Sequence, residues 1–169
     1  MKPQRRPKED IERLSDRPIE IKAFDPESKQ RSAVYCAELN RLLGPLGASA
    51  ELFGSVDLEI ATKGEWEFAI YLSDAQWFKA LVLLINHYGS IYTLLDDFAV
   101  FEDKSDGTPV EIIPMRGETE QRNRAIMEYW RGNPQARREY ERGKLAHAYS
   151  KQEYYRWKDE FIAGIVEKL

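Results

Sequence analysis

The chain reads as an α+β fold: a small mixed sheet backed by helices and followed by a C-terminal helical tail. Three stretches carry that reading. EWEFAIYL (65–72) has a strict period of two, so Trp66, Phe68, Ile70 and Leu72 share one face of a strand and Glu65, Glu67, Ala69 and Tyr71 share the other. SDAQ (73–76) has the S-x-x-Q form of a capping box and opens a strongly apolar helix, WFKALVLLINHY, which Gly89 ends. From Gly117 onward the chain is helical, with Pro134 at one helix start and an S-x-x-E cap at Ser150 to Glu153 opening another.

The remaining elements follow in order. Residues 1–17 interleave Lys2, Arg5, Arg6, Lys8, Arg13 and Arg17 with acids and prolines, which predicts a flexible, solvated arm without a catalytic role. Residues 18–169 form the single domain. IEIKA (19–23) alternates like a short strand. Asp25 then offers an N-cap and Pro26 a first helical position for a helix running to about Leu43. GPLG (44–47) breaks that helix, and SAELFGS leads through a short strand into a turn at Gly54-Ser55. Beyond the apolar helix, SIYTLLDD and FAVFED are strand-like and DKSDG reads as a turn. PVEIIPM (109–115) is a further strand, bounded by prolines.

Composition limits what such a domain is used for. A chain of 169 residues, 43% hydrophobic and 12% aromatic, buries one sizeable core. Its net charge of -4 lacks the positive field of a non-specific nucleic-acid binder, which is not expected here. Cys36 is the single cysteine, which excludes an intramolecular disulfide and any cysteine-based zinc site and fits a reducing compartment. There is no apolar targeting segment and no run approaching the roughly 18 apolar residues of a membrane span, so a cytoplasmic protein with no membrane partner is expected. No oligomeric state follows from the sequence.

The chemistry centres on carboxylates. Glu65 and Glu67 lie on one strand face, close enough for their oxygens to converge on one cation, and Glu111 supplies a third acid if its strand pairs beside EWEF. Three carboxylates around an open cavity suit Mg²⁺, or Mn²⁺, whose shell is completed by water or phosphate. Acid-x-acid on a half-exposed strand is equally the wet face of a sheet, and the residues alone leave both readings open.

A Gly-Ser turn followed about ten residues later by acid-hydrophobic-acid-hydrophobic, with a third acid on a later strand, resembles the nucleotidyltransferase superfamily of polymerase-beta-like enzymes. Here those pieces are Gly54-Ser55, EWEF and Glu111. Over residues 19–169 the chain looks more specifically like the GrpB family. The landmarks are IEIKAFDPES, LFGS, Lys63 before the carboxylate strand, and a helical tail in which Tyr129, Arg131, Pro134, Tyr140, Lys144 and Lys158 fall at family-like spacings. The departures are a VDLEIAT loop where the family has a threonine-rich Val-Pro-Gly-Leu loop, Lys63-Gly64-Glu65-Trp66-Glu67 in place of Lys-Pro-Ile-Ile-Asp, and Pro109-Val110-Glu111 in place of a His-x-His pair.

The resemblance implies a Mg²⁺-dependent nucleotidyltransferase moving a nucleoside monophosphate from a nucleoside triphosphate to an acceptor of unknown identity. Glu65, Glu67 and Glu111 would be its catalytic and metal-binding acids. Gly54 and Ser55 would hold phosphate, and Lys63, Arg122, Lys144 and Lys158 would line the substrate site. The alternative on the same fold is a catalytically degenerate nucleotide- or metabolite-binding module.

Other residues have plainer readings. Asp57 and Glu59 lie too soon after Ser55 and read as a polar loop edge. Glu128, Glu139, Glu141 and Asp159 interleave with the tail cations and offer surface ion pairing. Trp66, Trp130, Tyr140, Tyr154 and Trp157 read as core before base-stacking surface. His87 and His147 lack metal-ligand partners at suitable spacing, and Cys36 reads as a buried, inert thiol.

Overall fold

The computed structural model describes residue 3 and residues 5–169. Its described elements are α1 (Lys8–Glu12), α2 (Pro26–Leu43), a 3₁₀ turn (Gly44–Leu46), β1 (Ala50–Phe53), α3 (Gly54–Asp57), β2 (Trp66–Tyr71), α4 (Asp74–Tyr88), β3 (Thr93–Leu94), β4 (Ala99–Ser105), β5 (Thr108–Met115), α5 (Gly117–Gly132), α6 (Pro134–His147) and α7 (Lys151–Val166). The architecture is α+β, with one five-stranded sheet ordered β1-β2-β5-β4-β3. Only β2 and β5 run parallel; every other neighbouring pair is antiparallel.

Local chemistry sets the element ends. The Asp25 carboxylate caps α2 by accepting from Glu27 N, with Pro26 in the first turn. Ser73 and Gln76 form the capping box of α4. The β4–β5 hairpin closes at Asp106 and Gly107, both at positive φ, because a two-residue turn must match the right-handed twist of its strands. The strand predicted over Ile19–Ala23 is reduced to one bridge, Lys22 to Thr62. Ile19 N is drawn instead to the Ala148 carbonyl at the α6–α7 turn, so the segment has no continuous partner.

The sheet is covered on both faces. Trp66, Phe68 and Ile70 point into the main core with Leu39 and Leu43 of α2 and Trp77, Leu81 and Leu84 of α4. On the opposite face Ala69, Ile113 and Met115 are buried together, and α5 reaches that face by laying the Arg124 guanidinium over the Tyr71 ring at 3.7 Å. The face expected to be wet is therefore covered around Ala69, which is fully buried, while Glu67 beside it is half-buried. A second core joins α5, α6 and α7 through Met127, Trp130, Tyr140 and Val166 to Leu58 and Ile60, which precede β2.

The described residues of the segment read as a solvated arm are docked through Arg5, Arg6 and Ile11. Ile11 is buried, Arg5 forks onto Glu160 at 3.1 Å, and Arg6 binds Asp159 through both its backbone N–H and its guanidinium. Arg6 also lies over the Tyr155 ring at 4.4 Å. The alternating charges of the segment hid this, because the acids that hold it are about 150 residues away in sequence. Among the described residues no helix is long and apolar enough to cross a membrane.

Candidate functional site

The site forms where the end of β1, the start of β2, the middle of β5 and the helices α6 and α7 meet. Gly54 follows β1 at φ +72, a conformation that L side chains avoid. It also leaves space that no other residue would: a Cβ there would lie 2.1 Å from Glu67 Oε2. Two constraints thus select glycine, and one of them is a predicted site carboxylate. Ser55 is the second residue of the short helix α3, and its hydroxyl accepts from Lys144 Nζ at 2.6 Å.

Lys144 comes from α6, 89 residues further along, and is 1% exposed. Its ammonium also donates to the Ala61 carbonyl. Burial lowers its pKa to about 8, with Lys158 and Lys63 pushing the same way and Glu67 and Glu65 opposing them. A lysine so buried is held by its hydrogen bonds, because an unpaired ammonium in that position would be prohibitively desolvated.

Glu67 and Glu111 are direct register partners on the parallel strands β2 and β5, and Glu102 of β4 continues the row beside Glu111. Burial, followed by the charges of Glu67 and Glu65, pushes the Glu111 carboxyl up to about 7, against the pull of Lys63 and Lys158. Glu65 lies one residue before β2 and pairs with Lys63 at 2.6 Å; their side chains are 17% and 25% exposed. Burial acts to lower the Lys63 pKa, but the carboxylates of Glu65 and Glu67 and the Glu65 hydrogen bond outweigh it and raise it overall.

The structure therefore brings Gly54, Ser55, Lys63, Glu65, Glu67, Glu111, Lys144 and Lys158 into one electrostatic neighbourhood. Arg122 is 8% exposed on α5 and donates to Thr119 Oγ1 on its own helix. The expected three-carboxylate ligand set is not met in this arrangement. Among the described residues no group of three or more His, Cys, Asp or Glu side chains is placed to hold a metal ion. Glu65 is committed to Lys63, and Glu67 is seated against Gly54. The oxygen donors suit Mg²⁺ chemically, but they do not converge as a cage.

Two tail residues matter more than their sequence context suggested. Tyr140 is 5% exposed and stacks with Trp130 at 4.6 Å and Trp157 at 5.7 Å, while lying over Lys144 at 5.6 Å. Tyr155 carries the Arg6 guanidinium over its ring at 4.4 Å and meets Tyr154 edge-on at 5.2 Å. Nothing in a single sequence marked Tyr155 or Arg6, since neither shares a spacing with the carboxylates.

The plainer readings of other residues match their contacts. Asp57 pairs with Arg131 at 2.9 Å and Glu59 with Lys29 at 2.6 Å. His147 Nδ1 lies 2.8 Å from the Gly143 carbonyl, and its ring stacks on Trp157 at 5.1 Å. Cys36 departs from its reading in being half-buried rather than buried, while desolvation raises its pKa and makes the thiol a poor nucleophile.

No protein-family model matches the chain, and no curated protein matches it. Among solved structures it is similar to a cytoplasmic RNA terminal U-transferase at 12% identity and a TM-score of 0.47, over 76% of this chain and 39% of that one. It is also similar to Cid1, solved in complex with the UTP analog UMPNPP, at 11% identity and a TM-score of 0.43, over 69% of this chain and 37% of that one. The chain spans well under two thirds of the length of either.

Proposed function

We propose that this chain binds a nucleoside triphosphate, with the Gly54-Ser55 turn, Lys144 and Lys158 receiving the phosphates. The observation that carries the reading is the hydrogen bond from Lys144 Nζ to Ser55 Oγ. It joins a buried cation from the helical tail to the turn that follows β1, beside the Glu67 carboxylate. A hydroxyl and an ammonium at hydrogen-bond distance are the donors that a phosphate oxygen needs, and a low-exposure setting strengthens both. The likeness of the tail to the GrpB family, through Tyr140, Lys144 and Lys158, supports the same placement.

A second reading, transfer of a nucleoside monophosphate to a hydroxyl or phosphate acceptor, is favoured by Glu111. A carboxyl held up to about 7 is poised to take a proton from an acceptor near neutral pH. A divalent ion bound in that state would neutralise phosphate charge. Glu65, Glu67 and Glu111 would be its candidate holders, with Glu65 released from Lys63.

Isothermal titration with ATP, GTP, CTP and UTP, in EDTA and in Mg²⁺ or Mn²⁺, tests both readings. Saturable binding weakened about tenfold or more by Lys144→Met, the cost of one charge-assisted hydrogen bond, is expected. Absence of heat with all four nucleotides in every buffer would sink the nucleotide reading. Release of pyrophosphate that Glu111→Gln abolishes without altering binding is expected for transfer; turnover unaffected by that change would remove Glu111 from it.

A further inference from the structure

The Lys63-Gly64-Glu65 segment folds back on itself. Gly64 has φ +91, and its N–H donates to Thr62 Oγ1 at 3.1 Å, which closes a tight turn just before β2. The turn sets Lys63 Nζ 2.6 Å from Glu65 Oε1, in a pair that is largely shielded from water. Glu67 follows Glu65 by two residues and lies in register beside Glu111, so Lys63 is the cation at the head of this row of acids. One cation thus serves the acids that the sequence pattern would assign to a divalent ion, and it is delivered by the chain itself.

We propose that Lys63 is the resident cation of the Glu65–Glu67 pair, standing in for a divalent metal ion at this end of β2. A tethered ammonium is always present at high effective concentration, whereas a free ion must displace it and shed its own hydration shell. The inference concerns the same site as the nucleotide reading and rests on it only for the use to which the site is put. Because the pair is held by a turn that needs glycine at 64, the arrangement is encoded locally.

The test is calorimetric titration of Mn²⁺ alone, without nucleotide, into the wild type, Lys63→Met and Lys63→Ala, with circular dichroism to confirm folding. Methionine keeps the aliphatic stem and guards against collapse of the turn. The wild type is expected to show no saturable binding below about 1 mM, the weak end for carboxylate sites. A Lys63 variant is expected to bind Mn²⁺ about tenfold or more tightly than the wild type, and to lose that binding when Glu67→Gln is added. Saturable wild-type binding that Glu65→Gln abolishes would overturn the proposal. So would folded Lys63 variants that bind Mn²⁺ no better than the wild type. Since metal is the sole titrant, neither result depends on whether a nucleotide binds.

Discussion

Gly143→Ala is expected to destabilise the helical layer that carries the site, although alanine is the better helix former. Gly143 sits inside α6, where the exchange by itself gains about 1 kcal/mol of helix propensity. Its backbone, however, lies directly against an indole. A Cβ at 143 would stand 2.0 Å from Trp157 Cζ2, 2.5 Å from Cε2 and 2.8 Å from Cη2. Carbon atoms rest at about 3.5–4.0 Å, so either α6 retreats by more than an ångström or the ring turns. Trp157 is stacked on Tyr140 at 5.7 Å and on His147 at 5.1 Å and tilts against Phe161 at 5.3 Å, so turning it unmakes those contacts.

Overpacking costs about 1–3 kcal/mol and each lost aromatic pair about 0.5–1.5 kcal/mol. Against the propensity gain, the net loss is about 2–4 kcal/mol. At about 2–4 °C per kcal/mol for a chain of this size, Tm falls by about 5–15 °C. Differential scanning calorimetry checks it, and in a Trp157→Leu background, itself less stable, Gly143→Ala should cost little further, which a double-mutant cycle measures. A Tm equal to or above that of the wild type would refute the close approach, because only the propensity term would then be acting. Lys144 is the next residue along, so the same change should also loosen its bond to Ser55.

Further outcomes follow from the site. Gly54→Ala places a methyl where the Glu67 carboxylate lies and forces alanine to φ +72; it should cost about 1–2 kcal/mol and weaken nucleotide binding, with the fold retained by circular dichroism. Adding Glu67→Ala should leave only the backbone cost, and a double-mutant cycle measures the coupling. Glu111 binds its proton more tightly in the folded chain than in the unfolded one, so its contribution to stability is fully present below about 4.5 and is lost as pH rises through about 7. Glu111→Gln should therefore flatten the fall in Tm between those values in metal-free buffer and raise Tm at pH 8; an unchanged pH profile would exclude the shift. Asp159→Ala removes the acceptor of Arg6 and should expose the Arg5–Arg6 bond to trypsin, which peptide mapping reads directly; the bond after Arg6 precedes Pro7 and stays uncut. Nucleotide affinity measured in EDTA should stay within about threefold of that in Mg²⁺ if Lys63 supplies the cation.

The sequence by itself determined the elements and the identity of most of the candidate cluster. Period-two alternation in EWEFAIYL, the Asp25-Pro26 start and the Ser73–Gln76 box each act within a few residues, so they are legible without a partner. The placement of Glu67 beside Glu111 was legible for the same reason, once two strands were placed side by side, whereas Glu65 falls one residue before β2. What tertiary structure decided was the company those acids keep. The arm docks through Arg6 to Asp159, and Lys144 reaches Ser55 across 89 residues, contacts for which no local pattern exists. Ala69 is buried beside Glu67 because α5 closes over that face, so a strand that alternates like a half-wet one is covered on both sides. Whether a row of carboxylates meets a metal or a lysine depends on where a turn delivers an ammonium to within 2.6 Å, a matter of three-dimensional distance on which the spacing of residues along the chain is silent.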